Sequence, residues 1–172
     1  AFHRSFSTPV TIIRPFNTYG PRQSARAVIP TIITQLLRGE DSIRLGSIYP
    51  TRDFSYVSDT VRGFVSAIGS ARSFGEVVNL GSGFEISIQA TVRMIEEIMG
   101  VTTAVQTHDD RVRPQLSEVE RLWADNSKAK EFLGWQPVYK DVDGFRRGLE
   151  DTLEWMSMPE NLARYKSGTY NI

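Results

Sequence analysis

The chain has 172 residues, 40% hydrophobic and 10% aromatic, which is long enough to bury a substantial core in a single domain. Twenty basic residues balance twenty acidic ones, which excludes a global attraction to nucleic acid or an anionic membrane and leaves only a local basic patch open. With no cysteine, a disulfide framework and thiolate chemistry are excluded and a reducing cytoplasm fits; no stretch approaches the ~20 apolar residues of a membrane span, and Ala1–Phe6 lacks the apolar run of a signal peptide.

The β-branched segment Val10-Thr11-Ile12-Ile13 predicts a buried strand. It runs directly into Arg14-Pro15-Phe16-Asn17-Thr18-Tyr19-Gly20-Pro21, which delivers polar groups to the strand's carboxyl end, where open α/β sheets bind ligands. The Asn17 amide and the Tyr19 hydroxyl suit a polyhydroxylated ligand. A plain turn is the competing reading, because Asn, Gly and Pro all favour turns. Apolar residues at 29, 32, 33, 36 and 37 then form one helical face, with Pro30 in the first turn and Gly39 at the exit. Ile43-Arg44-Leu45 follows as a short strand candidate.

The run Arg52-Asp53-Phe54-Ser55-Tyr56-Val57-Ser58-Asp59 precedes a second helix, for which Ser58 is the expected N-cap and which carries Val61, Phe64, Val65 and Ile68 up to Gly69. Arg52 offers a fork of donors suited to phosphate oxygens, whereas Asp53 and Asp59 suit capping and ion pairing. Val77–Leu80 is a second strand that leaves through Gly81-Ser82-Gly83. That turn half-resembles a phosphate-binding glycine loop, but Ile86 stands where the third glycine would be, so a tight turn is the better reading. Ser87 caps a helix with Ile88, Val92, Ile95 and Met99 inward and Gly100 at its end, and Ala104–Thr107 is one more strand candidate.

Further on, Arg111, Arg113 and Pro114 with Ser117, Glu118 and Arg121 make either an anion site or a set of solvated loop charges; Glu118 could accept from ribose hydroxyls. Asp125 or Asn126 caps a short helix stopped by Gly134, and Asp141 begins a longer one with Val142, Phe145, Leu149, Leu153 and Met156 on one face. The tail from Pro159 has little periodicity and reads as irregular. Two histidines far apart give no metal-ligand pattern, and no serine sits in a Gly-x-Ser-x-Gly elbow. Trp123, Trp135 and Trp155 are most simply core or helix-packing residues. Alternating strands and helices argue an α/β or α+β layer fold.

In their order, the motifs RPFNTYGP at 14–21, VIPTII at 28–33, RDFSYVSD at 52–59, NLGSG at 79–83, and RVRP followed by WADNSKAKEFLGWQP at 123–137 resemble the C-terminal half of the extended short-chain dehydrogenase/reductase family, the nucleotide-sugar epimerases and 4,6-dehydratases. The resemblance runs from Thr11 to about Met156. It implies an α/β fold comprising the last strand or strands of a Rossmann-like parallel sheet and a small mixed α/β substrate-binding domain, all in one fragment spanning 1–172. Arg14 and Pro15 then match the segment near the nicotinamide of NAD. Asn17 matches a contact to the sugar-nucleotide diphosphate region, and Val28, Ile29 and Pro30 the segment beside the base. Arg52 matches an arginine gripping the diphosphate, Arg113 a second such arginine, and Asn79 a residue lining the same pocket. Glu118 falls near a ribose-binding acid.

Two loops depart from the common pattern: Gly46-Ser47-Ile48-Tyr49-Pro50-Thr51 replaces a Gly-Asp-Gly-like loop, and Gln115 follows Arg113-Pro114 in place of glycine. Both variants resemble a bacterial 4,6-dehydratase branch making modified amino sugars. None of the six tyrosines has a lysine four positions on, and no dinucleotide glycine fingerprint is present. The resemblance therefore implies that the cofactor loop and the catalytic Tyr-x-x-x-Lys lie in polypeptide preceding Ala1, that no catalytic residue is assignable here, and that this fragment alone is inactive. It also implies a nucleotide-diphosphate sugar as partner, a homodimer for the intact parent, and exposed apolar surface around Val10–Ile13, or pairing there with another chain. The alternative is a non-catalytic sugar-nucleotide-binding or scaffold module of the same fold.

Overall fold

A computed structural model describes residues 2–107 and 119–165. A short helix α1 (Phe2–Phe6) leads into strands β1 (Ile12–Pro15) and β2 (Asn17–Tyr19), then helix α2 (Val28–Leu37). Strands β3 (Ser42–Leu45) and β4 (Thr51–Tyr56), helix α3 (Val57–Ile68) and strands β5 (Val77–Leu80) and β6 (Glu85–Ser87) follow. Helix α4 (Ile88–Met99), strands β7 (Ala104–Thr107) and β8 (Arg121–Leu122), and helices α5 (Ser127–Leu133), α6 (Asp141–Ser157) and α7 (Pro159–Leu162) complete the described elements. No described helix is long and apolar enough to cross a membrane.

The described strands form three small sheets. β1 pairs in parallel with β5, and Arg14 lies beside Asn79 in the register. β3 pairs in parallel with β7. β4 is the hub of the third sheet, parallel to β2 through Asn17 and Phe54, antiparallel to β6, and parallel to β8. Because Thr51 and Arg52 pair with both β6 and β8, these two must flank opposite edges of β4. β8 and β2 therefore succeed one another along one edge, meeting where Arg52 gives way to Phe54.

Most of the core is one cluster that joins α2, α4 and α6 to the β2–β4–β6 sheet. Ile29, Ile32 and Ile33 of α2 meet Ile43, Phe54, Ile95, Phe145, Leu149 and Met156 there. Tyr19 is its centre: it is fully buried, its ring lies edge-on to Phe54, Tyr56 and Phe145, and its hydroxyl donates to the Phe145 carbonyl. A smaller cluster of Val78, Leu80, Ala129 and Trp135 packs α5 against β5. The helix stops follow the expected chemistry, with Gly100 and Gly134 in the left-handed region at φ 67° and 62°. Ser87 caps α4 by accepting from the Ala90 amide.

Several expectations need correction. The first strand begins two residues later than Val10 and is not buried; Ile12 is 52% exposed. A parallel strand is buried only when both faces are covered, and β5 is the only strand paired with it among the described residues. The exposed apolar surface expected here is present, since Val10 is exposed as well. Ser58 does not cap α3, which starts at Val57 without a side-chain cap. Val61, Phe64, Val65 and Ile68 of α3 face outward, Ile68 to 85% exposure, while Asp59, Thr60 and Gly63 face inward. Gly63 explains this choice: a Cβ there would come within 2.3 Å of Leu80 Cδ1, so only its hydrogen lets α3 sit against β5. At the start of α5 the Asp125 carboxylate accepts from the Ser127 amide at 2.9 Å, whereas the Asn126 side chain makes no cap bond and instead exchanges two hydrogen bonds with the Gly81 backbone. Val142 of α6 is exposed, and Trp123 is half-exposed with its indole donating to the Gly83 carbonyl. A single turn, α7, interrupts the tail.

Candidate ligand-binding site

A cavity of about 410 Å³ opens where β2, β4 and β8 meet the start of α2. Asn17 enters it from the first residue of β2, Arg52 and Phe54 from β4, and Leu122 from β8. Gln23, Arg26, Val28 and Thr31 line it from the approach to α2 and its first turn, and Leu45, Gly46 and Ser47 from the end of β3. Two guanidinium groups and no acidic side chain line it among the described residues. Helix α2 begins there without a side-chain cap, so the positive end of its dipole adds to the attraction for an anion. Apolar Val28, Leu45 and Ile88 share the wall with these polar groups, the mixture that suits a ligand with a flat apolar part and a charged part.

Asp53 lies between Arg52 and Phe54 on β4 and does not line the cavity. Its carboxylate is fully buried and accepts from the Ser82 amide at 2.7 Å, the Ser82 hydroxyl at 2.7 Å, the Gly83 amide at 3.0 Å and the Ala124 amide at 3.1 Å. Burial pushes the Asp53 carboxyl above its ordinary range, and the four hydrogen bonds act in the opposite sense. The tight-turn reading of Gly81-Ser82-Gly83 follows from the same contacts. The amides of Ser82 and Gly83 are bonded to Asp53 and that of Gly81 to Asn126, so they are turned inward and do not form a phosphate cradle.

Of the residues singled out from sequence, Asn17, Val28 and Arg52 line one cavity. The Asn17 amide also donates to the Asp53 carbonyl at 3.4 Å, and Arg52 Nη1 to the Thr51 carbonyl at 2.8 Å. Ile29 and Pro30 turn away into the interior, Ile29 joining the main core. Arg14, Pro15 and Asn79 do not line the cavity. They lie together at the carboxyl end of the β1–β5 pair, where Asn79 donates to the Asp125 carbonyl. Arg113 and Glu118 lie outside the described residues. Sequence reading missed Gln23, Arg26 and Thr31, which surround Val28 in the cavity wall; the sequence signal available was the helix start itself, since residues around an uncapped N-terminus share one surface.

Comparison with known proteins decides the family. The family model for GDP-mannose 4,6 dehydratase matches residues 1–148. The chain belongs to this family. It thereby joins the NAD-dependent epimerases and dehydratases of the extended short-chain dehydrogenase/reductase class. It is similar to an uncharacterized UDP-glucose epimerase, YtcB, of Bacillus subtilis, at 34% identity over 83% of this chain and 44% of the relative. A UDP-N-acetyl-alpha-D-glucosaminuronate decarboxylase of Bacillus cytotoxicus is also 34% identical, over 89% of this chain and 48% of its own length. Among solved structures, the UDP-glucuronic acid 4-epimerase of Bacillus cereus in complex with UDP-glucuronic acid and NAD superposes with a TM-score of 0.78 at 32% identity, covering 90% of this chain and 47% of the epimerase. The chain thus spans about half the length of the relatives it matches. The Rossmann-like α/β class expected from the motifs is the observed one.

Proposed function

We propose that this chain is the substrate-binding half of an NAD-dependent nucleotide-sugar 4,6-dehydratase or epimerase. The observation that carries the reading is the convergence of Asn17, Val28 and Arg52 on one cavity at the start of α2 that no acidic side chain lines among the described residues. In this reading Arg52 and Arg26 face the diphosphate, Asn17 donates to the diphosphate–sugar junction, and Val28 and Leu45 pack against the base. Arg113 and Glu118 are proposed to complete the phosphate and ribose contacts. Binding energy from the nucleotide, remote from the reacting carbon, would hold the hexose in a reactive orientation.

Residues of this chain fit one edge of a dinucleotide. Arg14 and Pro15 are exposed and Asn79 half-buried at the carboxyl ends of two parallel strands, the edge where α/β sheets take cofactors. NAD, when bound, supplies acceptance and return of hydride at the sugar, while the protein positions the reactants. The Tyr and Lys that move the proton, and the glycine loop that holds the pyrophosphate, are proposed to lie on preceding polypeptide, as the coverage of about half of each relative supports.

Titration calorimetry of the full-length protein with UDP, dTDP and GDP tests the site, and an NAD-dependent 4-keto product assay with the corresponding sugars tests the chemistry. Binding with turnover is expected. Binding of a nucleotide sugar without turnover in the full-length protein would favour a non-catalytic binding module, and the absence of any nucleoside diphosphate binding would defeat the proposal.

A further inference from the structure

We propose that Asp53, which makes no contact with the cavity, is a positioning residue that aims Arg52 into it. This inference rests on the nucleotide-sugar reading of the cavity. Successive side chains of a strand point to opposite faces. In β4, Arg52 and Phe54 line the cavity, and Asp53 between them is buried behind it. Pinning the Asp53 side chain on the rear face therefore pins its neighbours on the front face.

The pin is unusually complete. Among the described residues, four donors and no acceptor converge on the Asp53 carboxylate, from two segments 29 to 71 residues away in the chain. An ionised carboxylate satisfies four donors, whereas a neutral amide at the same place would set its own N–H groups against them. The arrangement also fixes the neighbouring strand. The Ala124 amide, two residues beyond the end of β8, is one of the four donors, and β8 pairs with β4 at Thr51 and Arg52. Gly81 permits this closure: a Cβ there would meet the Ala124 Cβ at 2.2 Å and Asp53 Oδ2 at 3.0 Å. The Asp53 carbonyl meanwhile accepts from Asn17, so one residue braces both side chains assigned to the ligand, Arg52 through the strand and Asn17 directly.

A merely structural role would lower stability and leave ligand affinity alone, so a thermodynamic cycle separates the two. Ser82→Ala removes the hydroxyl donor and keeps the amide donor. In the full-length protein, well below its unfolding transition, Ser82→Ala is expected to weaken UDP binding by about fivefold, and Asp53→Asn by more. In an Arg52→Ala background the same Ser82→Ala change should alter UDP affinity by less than about twofold, because the side chain it positions is gone. Should Asp53→Asn fail to fold, the Ser82→Ala pair decides alone. Unchanged UDP affinity in Ser82→Ala, or an equal loss with and without Arg52, overturns the positioning role while leaving the cavity assignment standing. Absence of UDP, dTDP and GDP binding by the wild-type protein removes both.

Discussion

Replacing Gly148 by alanine should destabilise the protein, against the ordinary trend for a glycine inside a helix. Gly148 lies in the middle of α6, where alanine is normally better by about 1 kcal/mol. Here a Cβ would fall 2.1 Å from Tyr19 Oη, 2.9 Å from Tyr19 Cζ and 3.1 Å from Tyr56 Cδ2. Tyr19 has nowhere to retreat: it is 1% exposed and enclosed by the rings of Phe54, Tyr56 and Phe145 at centroid distances of 6.2, 5.5 and 5.3 Å. Overpacking of this kind costs about 1–3 kcal/mol. Displacing the Tyr19 hydroxyl from the Phe145 carbonyl costs about 1 kcal/mol more. Set against the helix-propensity gain, the net loss is about 1–3 kcal/mol. Urea unfolding followed by tryptophan fluorescence should show a lower midpoint with an unchanged slope. Tyr19→Phe removes the atom in closest conflict, so the double variant should be more stable than the sum of the two single losses implies. A Gly148→Ala protein as stable as wild type, or more so, would refute the packing argument.

Three further outcomes follow from the same contacts. Arg52→Ala should weaken UDP binding by roughly 1.5–3 kcal/mol, one to two orders of magnitude in Kd, and calorimetry showing an unaltered Kd would remove Arg52 from the site. Asp59 is buried and accepts from the Val138 and Tyr139 amides at 2.9 and 2.8 Å while pairing with Arg62. Asp59→Ala should therefore lower the unfolding free energy by roughly 2–4 kcal/mol in denaturant titrations; a loss within error of zero would contradict the contact set. Glu85 accepts from Arg121 and from the Thr51 hydroxyl, and both hold its carboxyl below the ordinary glutamate range. A lowered folded-state pKa gives stability that is present above the ordinary value and lost as pH falls through the lowered one. Carboxyl NMR titration should place the Glu85 midpoint below that of a free glutamate, and Arg121→Ala should raise it, the Thr51 bond remaining; a midpoint at or above the ordinary value in the wild type would show that the pair does not form.

Much of the fold was legible because it is written in local repeats. The 3.6-residue spacing of Ile29, Ile32, Ile33 and Leu36 specifies the buried face of α2, and that of Ile88, Val92 and Ile95 the buried face of α4. Ser87, Gly100 and Gly134 mark helix ends because capping and left-handed backbone are properties of single residues. The strands β2, β6 and β8 were not legible. They span two or three residues each, too short to show a period, and they exist only through pairing with β4. The inward face of α3 was not legible from its apolar residues, because it is the fit of Gly63 against Leu80 that turns Asp59, Thr60 and Gly63 inward.

The candidate site divides in the same way. Residue types and motif order pointed to the family that the comparisons show, and marked a fork-shaped donor at Arg52 and an amide at Asn17 as candidates. Tertiary structure alone decided that these two share a cavity with Arg26 and Gln23, and that Ile29 and Pro30 do not. It also decided that Asp53 is bonded to amides from the 82–83 turn and from Ala124. Helical periodicity and capping depend on neighbours within about four residues, so a sequence states them directly. A cavity wall and a four-donor carboxylate are assembled from segments far apart in the chain, and only the packed fold brings them within hydrogen-bonding distance.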